Sequence, residues 1–423
     1  MSPNDTNAGG SSALDRLASG VGVALRTSAV AALMGLRWGL GRNGIDRKGI
    51  PAPRWDARLF SKVALDEFFL ATELVSAPFV SARDSTRVGR ELAQAIRLYQ
   101  ERGWLDDPAD YHRTPPQLER FELEEFRSAW VDYRHLRYES EYEPHPGEPG
   151  RERWLGYAAN RTAHARLLQH RGGPRPWLVC VPGYRMGQTI VDFTGFQARW
   201  LHRHLGLNVA IPVIPLHGPR RIGRRGGDGF FTGDFIDTVH AQAQAVWDAR
   251  RLIGWLRSEG AAGVGIYGVS LGGYTAALLA SLEHRIDCVI AGIPATDFLR
   301  LMQAHTPPFL LKLAALVGLS VDNIQRVLHV VSPLALTPQV PRERRFLFAG
   351  LADRLASPDH ARDLWQHWER PHLTWYHGSH VSFLWEDEVK DLLQRALSTC
   401  GLVSQSQALT AGANLDRAEA EAY

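Results

Sequence analysis

Short apolar runs alternate with helical stretches over residues 176–400 of this 423-residue chain. PWLVCVPGY at 176–184, LNVAIPVIPLHG at 207–218 and IDCVIAGIP at 286–294 are apolar on consecutive positions, which suits strands buried on both faces. Further runs of this kind occur at 262–270, 344–353 and 372–378. The alternation predicts an α/β fold in which helices wrap a mostly parallel sheet.

A serine lies where one predicted strand passes into a predicted helix. Gly268, Ser270 and Gly272 form a GxSxG pattern, with the apolar run 264–267 before it and LGGYTAALLASLEH after it. Small residues must flank the serine in such a sharp turn, because the strand and the helix crowd each other there. We therefore interpret Ser270 as a nucleophile whose hydroxyl projects above the sheet.

A serine hydroxyl needs a base and an orienting carboxylate to become a nucleophile. Asp353 follows the run FLFAG and His380 follows LTWYHG, so both come at the carboxyl end of a predicted strand. Asp297, after the run at 286–294, is the rival acid. His377 is the nearby alternative base, although we expect it to lie within the strand.

Residues from about 130 to 400 resemble the α/β-hydrolase superfamily, because GVSLGG, GLADR and HGSH occur in that order, each at a predicted strand end. PLHGPRR is similar to bacterial esterase-like and dienelactone-hydrolase-like members. The resemblance implies a serine esterase that cleaves carboxylic esters or thioesters through an acyl-Ser270 intermediate. In the implied mechanism, His380 is the general base and acid, and Asp353 orients His380. No cofactor or metal is expected.

The same resemblance implies an oxyanion hole made of main-chain amides. One donor is the amide of Leu271, directly after the nucleophile and at a helix N-terminus. The second is expected in the loop PGYRMG after the first strand, at Tyr184 or else at Arg185. In the superfamily this loop often reads HGG or HGxG. The histidine is missing here, but a main-chain donor does not need it.

Substrate selection is expected to come from loops over the site, and our candidate substrate-binding residues are His217, Arg220 and Arg185. The segment 217–235 is rich in Gly and Arg and follows a strand end, so it is a candidate lid that could meet an acidic group. The alternative for this loop is that it is solvated and its arginines pair with acidic neighbours. The alternative for His217 is a structural hydrogen bond in place of pocket lining. The apolar segment 298–329 is a second candidate lid.

The chain divides into four predicted regions. Residues 1–54 form a flexible basic arm of charge +4 with an amphipathic helix from residue 14 to 40, which either packs on the main domain or lies on a membrane surface. Residues 55–130 form a helical N-terminal region that includes a helix over 117–131. Residues 131–401 form the catalytic α/β-hydrolase domain, and residues 402–423 form a mobile tail.

Composition narrows the expected partners. The three cysteines fit no disulfide framework, which predicts buried thiols in a reducing, cytoplasmic compartment. Within that compartment, association with a membrane surface is a further option. Outside the arm the charge is −1, so nucleic acid is not expected as a partner. The expected partner is a small ester or acyl substrate. A membrane-surface lipid hydrolase docked by residues 13–40 and a non-catalytic scaffold are the alternatives, and the oligomeric state stays open.

Overall fold

The computed structural model describes residues 46–76, 82–127, 131–306, 311–312, 315–316 and 319–404. The predicted amphipathic helix from residue 14 to 40 and the predicted tail after residue 404 lie outside the described residues. Among the described residues, no helix has both the length and the apolar character needed to cross a bilayer.

A nine-stranded sheet in the order β1-β2-β3-β5-β4-β6-β7-β8-β9 runs through the described chain. Neighbouring strands from β1 to β3 and on to β5 are antiparallel, and those from β5 through β4 to β9 are parallel. The strands are β1 Glu122–Phe126, β2 Tyr133–Glu139, β3 Thr162–Leu168, β4 Trp177–Val181, β5 Asn208–Val213, β6 Val264–Val269, β7 Cys288–Gly292, β8 Arg345–Gly350 and β9 His372–Tyr376.

Helices cover both faces of this sheet. They are α1 Ala57–Ser76, α2 Ala82–Glu101, α3 Arg151–Leu155, α4 Thr189–Gly195, α5 Ala198–Arg203, α6 Phe235–Ser258, α7 Leu271–Leu282, α8 Phe298–His305, α9 Val321–Leu328, α10 Pro358–His367 and α11 Asp387–Thr399. Every residue of β4, β6, β7 and β8 is buried, as the continuous apolar runs require. The predicted α/β class with a mostly parallel sheet is confirmed.

The predicted helix over 117–131 is wrong. The acidic segment Glu122–Phe126 is β1, an edge strand that pairs with β2. Arg137 on β2 forms ion pairs with Glu122 and Glu124, and the ring of Phe126 stacks on that of Tyr133 with centroids 5.3 Å apart. Cross-strand pairs of this kind outweigh a weak local preference for helix.

Helices lie at both ends of the candidate lid segment 298–329, as predicted. α8 begins at Phe298, and α9 ends at Leu328. Leu402 and Val403, placed at the start of the predicted tail, are buried against the sheet. The structured chain therefore reaches at least to these two residues. The boundaries of the four regions remain predictions.

Candidate active site

Ser270 occupies a strained turn between β6 and α7. Its backbone angles are φ +57° and ψ −116°, a region that residues other than glycine rarely adopt. A Cβ on Gly268 would lie 2.0 Å from the carbonyl oxygen of Gly272, and a Cβ on Gly272 would lie 1.9 Å from that of Val181. The GxSxG pattern is thus required by backbone packing at the turn.

His380 and Asp353 form a buried hydrogen-bonded pair. The Nδ1 atom of His380 lies 2.7 Å from Oδ2 of Asp353, and the two residues are 6% and 2% exposed. The other carboxylate oxygen, Oδ1, accepts hydrogen bonds from the amides of Leu355 and Ala356 at 2.9 and 2.8 Å. Since a carboxylate accepts, Nδ1 carries the proton and Nε2 keeps its lone pair.

The rival residues have other partners. Asp297 caps the N-terminus of α8, where its carboxylate accepts a hydrogen bond of 2.9 Å from the amide of Arg300. His377 was expected within the strand, but β9 ends at Tyr376 and His377 lies just beyond it, where its Nε2 accepts a hydrogen bond of 2.9 Å from the amide of Arg54. The structure therefore pairs His380 with Asp353, whereas Asp297 and His377 make other hydrogen bonds.

Two effects act in opposite directions on the pKa of His380. Burial disfavours the charged imidazolium and lowers the pKa, whereas the carboxylates of Asp353 and Asp66 raise it. The carboxylates prevail, so the pKa of His380 lies above its ordinary value. These carboxylates consequently stabilise the imidazolium that forms when neutral His380 accepts a proton.

Ser270 and His380 line one cavity with a volume of about 580 Å³. It lies at the carboxyl ends of the parallel strands, where an open α/β sheet gathers its site. Most of its wall is apolar, with side chains that include Phe69, Leu70, Val191, Phe231, Leu301 and Phe383. The two predicted reacting groups therefore face one largely apolar cavity.

The loop after β4 packs directly against the nucleophile. A Cβ on Gly183 would lie 3.3 Å from Cβ of Ser270 and 3.1 Å from the carbonyl oxygen of Val269. The next residue, Tyr184, lines the cavity, as does Leu271 at the first position of α7. The two predicted oxyanion-hole residues therefore line the same cavity as Ser270, Leu271 from α7 and Tyr184 from the loop after β4.

Arg185 lines the same cavity, but its charge is already balanced. Its guanidinium lies 2.6 Å from the carboxylate of Glu73 and 2.7 Å from that of Asp228, and it also donates to the carbonyl of Gly226 at 2.7 Å. Arg225 pairs with Glu73 as well, at 2.8 Å. This network leaves little positive charge for an acidic substrate.

The structure does not bring Arg220 to the cavity, so its prediction as a substrate-binding residue is wrong. Its fully buried guanidinium lies 2.9 Å from the carboxylate of Asp248 and donates to the carbonyls of Val213 and Asn160, both at 2.9 Å. A buried charge needs such partners, and they hold the guanidinium inside the protein.

His217 is also buried away from the cavity wall. Its Nδ1 donates a hydrogen bond of 2.8 Å to the carbonyl of Pro215, and burial lowers the pKa of its ring to about 4. His217 therefore stays neutral near pH 7, and the structural hydrogen bond that we weighed against pocket lining is the arrangement found.

Both candidate lids and one further segment line the cavity. The candidate lid 217–235 contributes Asp228, Phe231 and Thr232, and the candidate lid 298–329 contributes Leu301, Met302, His305 and Thr306. The third is α1, which contributes Phe69, Leu70 and Glu73 and which sequence reasoning did not place at the site.

A buried acid on α1 was also missed. Asp66 is fully buried and accepts hydrogen bonds from the amide of Arg354, next to Asp353, and from the amide of His380. The sequence holds a signal for it, because Leu59, Val63, Asp66 and Leu70 follow at steps of four, three and four and so share one helix face. An acid within such an apolar stripe indicates a buried carboxylate with specific partners.

No set of three or more His, Cys, Asp or Glu side chains within the described part of the chain is placed to hold a metal ion. The thiols of Cys180 and Cys288 are buried and that of Cys400 is partly exposed.

Comparisons with known proteins give two relatives and a set of similar folds. No protein-family model matches the chain. Uncharacterized proteins of Mycobacterium tuberculosis, from strains CDC 1551 and H37Rv, are each 39% identical to it over 356 residues, which is 84% of this chain and 85% of theirs.

The similar solved structures include three esterases. An acetyl xylan esterase from Paenibacillus sp. R4 is 16% identical with a TM-score of 0.46, and the match covers 65% of this chain and 93% of that one. An acetyl xylan esterase from Thermoanaerobacterium sp. JW/SL YS485 is 14% identical with a TM-score of 0.43, covering 66% and 86%. An esterase from Pyrococcus furiosus is 14% identical with a TM-score of 0.40, covering 68% and 97%.

The strand, sharp turn and helix around Ser270, followed in chain order by an acid after β8 and a histidine after β9, are the arrangement of the α/β-hydrolase fold. The chain has this fold, and it belongs to the same family as the Mycobacterium tuberculosis proteins.

Proposed function

We propose that this protein is a serine hydrolase that cleaves uncharged carboxylic esters or thioesters with an apolar acyl group. The observation that carries the proposal is the joint placement of a strained Ser270 and a His380 bonded to Asp353 on one apolar cavity. A serine, a base and an orienting acid in this order are the parts that acyl transfer requires.

The first half of the reaction forms the acyl-enzyme. Nε2 of His380 accepts the proton of the Ser270 hydroxyl as its oxygen attacks the ester carbonyl, and Asp353 stabilises the resulting imidazolium. The amides of Leu271 and Tyr184 donate to the oxyanion, a type of contact worth about 3 kcal/mol each. His380 then gives its proton to the leaving alcohol or thiol, whose bond to the carbonyl carbon breaks.

The second half regenerates the enzyme. Water gives a proton to His380 while its oxygen attacks the acyl carbonyl. As the resulting intermediate collapses, its bond to the Ser270 oxygen breaks, His380 returns the proton to that oxygen, and the carboxylic acid is released. Charge stabilisation on His380 by Asp353 serves both halves, because the histidine becomes an imidazolium in each.

The side chains that line the cavity support an apolar, uncharged substrate. Phe69, Leu301 and Phe383 present hydrocarbon to the cavity, and burying a methylene there contributes about 0.8 kcal/mol. The charged side chains on the wall, Arg185 and Glu73 among them, already neutralise one another. An anionic acyl group would therefore lose its hydration without gaining a free cation.

Ester turnover tests this proposal. We expect the wild type to hydrolyse p-nitrophenyl butyrate and the Ser270→Ala variant to lose activity by a factor on the order of 10⁴ or more. Ser61→Ala, which changes an exposed serine on α1, is the matched control and should retain full activity. The hydrolase proposal fails if the wild type turns over no ester, and the triad assignment fails if Ser270→Ala keeps its rate.

A lipid-surface hydrolase is the second candidate, since large apolar side chains stand exposed beside cavity-lining residues. Phe68, Ile190 and Trp385 are 71%, 65% and 58% exposed. Their neighbours in the chain, Phe69, Val191 and Leu384, line the cavity. If this candidate is correct, the wild type will co-sediment with phosphatidylglycerol vesicles, and a variant with serine at the three exposed positions will stay in the supernatant. Equal sedimentation of both would remove it.

A further inference from the structure

The N-terminal helix α1 carries a buried carboxylate that the proposed reaction does not use. Asp66 lies on the inner face of α1, is fully buried, and is not part of the cavity wall. Its partners are main-chain amides of the two loops that carry Asp353 and His380. We propose that Asp66 is a positioning residue that locks these two loops together, an inference that rests on the proposed function.

Three hydrogen bonds make the connection. Oδ2 of Asp66 accepts from the amide of Arg354 at 2.9 Å and from that of His380 at 2.8 Å, and Oδ1 accepts from the amide of Val381 at 3.0 Å. Arg354 directly follows Asp353 in the chain. One carboxylate therefore holds both the acid loop and the base loop, and charge-assisted bonds of this kind are roughly twice as strong as neutral ones.

Other contacts hold α1 in place over the same loops. Glu67 pairs with Nε of Arg354 at 2.9 Å. The hydroxyl of Ser379 donates to the carbonyl of Lys62 at 2.8 Å, and Nζ of Lys62 donates to the carbonyl of His377 at 3.0 Å. These bonds involve the residues directly next to Asp66, Asp353 and His380 or within a few positions of them.

Apolar packing completes the attachment. Leu59 and Val63 on α1 form a small buried cluster with Ala352, the residue before Asp353. The short helix Val381–Trp385, which begins directly after His380, also packs on α1. Hence α1 is fixed to both loops. Because Asp66 bonds to both of them, it helps to set the distance between Asp353 and His380.

The charges around Asp66 decide what its removal does. Burial and the neighbouring carboxylate of Asp353 raise the pKa of Asp66 to about 6, while His380 and the amides of Val381 and Arg354 act in the opposite direction. In return, the charge of Asp66 helps to raise the pKa of His380. The other charged groups on these elements, Glu67 with Arg354 and Lys62 with Glu386, balance one another in pairs.

Asp66→Asn replaces an acceptor of three amides by a group with one acceptor oxygen and an NH₂ that faces an N–H donor. We expect kcat for p-nitrophenyl butyrate to fall at least tenfold, with KM within about twofold because Asp66 does not line the cavity. The acid limb of the kcat/KM profile should move to lower pH, since the negative charge that helps to raise the pKa of His380 is gone.

Glu148→Gln is the matched control for the loss of a buried carboxylate. Glu148 accepts hydrogen bonds from the hydroxyls of Tyr99 and Tyr111 at 3.1 and 3.0 Å and from the amide of His145 at 2.6 Å, all remote from the two loops. If it lowers the unfolding temperature as much as Asp66→Asn does but leaves kcat and the pH profile unchanged, the effect of Asp66 is specific to the site.

Amide hydrogen exchange gives a readout that needs no activity. Asp66→Asn should speed exchange in peptides covering 351–356 and 378–384, and Glu148→Gln should not. Should the wild type lack esterase activity, the proposed function fails and this exchange result alone decides the inference. Unchanged exchange in the two loops, or unchanged kcat and acid limb in an active enzyme, would overturn the role of Asp66.

Discussion

Replacing Asp353 by asparagine isolates the orientation of His380 from the packing around it. In the native pair, Oδ2 of Asp353 accepts from Nδ1 of His380, while Oδ1 accepts from the amides of Leu355 and Ala356. Asparagine has a single oxygen, and the two fixed amides require it. Its NH₂ group must then face His380 and donate to Nδ1, which leaves the ring proton on Nε2.

A ring protonated at Nε2 cannot accept the proton of Ser270. We therefore expect kcat to fall by about 10⁴, equal to roughly 5.4 kcal/mol of barrier, as a wrong tautomer does in a serine triad. Both main-chain hydrogen bonds survive, so the unfolding temperature should change by no more than about 4 °C. The assay is p-nitrophenyl butyrate hydrolysis at pH 8, with thermal unfolding followed by circular dichroism.

Asp297→Asn is the matched control, because Asp297 is the rival acid by sequence and caps α8 in the structure. Asparagine caps a helix as well as aspartate does, so this variant should keep its activity and stability. A loss below about tenfold in Asp353→Asn, or an equal loss in Asp297→Asn, would refute the tautomer argument.

Three further predictions concern pH, acyl length and backbone packing. Since neutral His380 is the base and its pKa is raised, kcat/KM should fall as pH drops through a value above about 6.5, and a limb below 6 would contradict this. Across a series from acetyl to hexanoyl esters, kcat/KM should rise about fourfold per methylene, while a flat or falling series would show that the cavity does not hold the acyl chain. Gly272→Ala, whose Cβ would meet the carbonyl of Val181 at 1.9 Å, should destabilise folding by more than about 3 kcal/mol in urea unfolding, whereas Gly173→Ala, with no atom within 4 Å, should be neutral.

The parts of the site that depend on local sequence could be predicted. A glycine on either side of Ser270 marks the turn because the backbone itself leaves no room for a side chain. Asp353 and His380 each follow a short apolar run, and the carboxyl ends of parallel strands meet at one edge of the sheet. No long-range information was needed to place these three residues at one edge of the sheet.

The parts that depend on distant partners could not. Arg220 is one of several arginines in a Gly-rich loop, and only the fold shows that it reaches Asp248 inside the protein. Arg185 likewise finds Glu73 on α1. Asp66 bonds to amides 288 and 314 residues further along the chain, which no local pattern specifies. Its place in an apolar stripe indicates burial but not the partner.

Covalent trapping tests the central claim most directly. After incubation with a fluorophosphonate probe, peptide mass spectrometry of the full chain should find a single adduct on the hydroxyl of Ser270, and Ser270→Ala should remain unlabelled. An unlabelled wild type, or an adduct on any other serine that persists in Ser270→Ala, would contradict the assignment of Ser270 as the nucleophile.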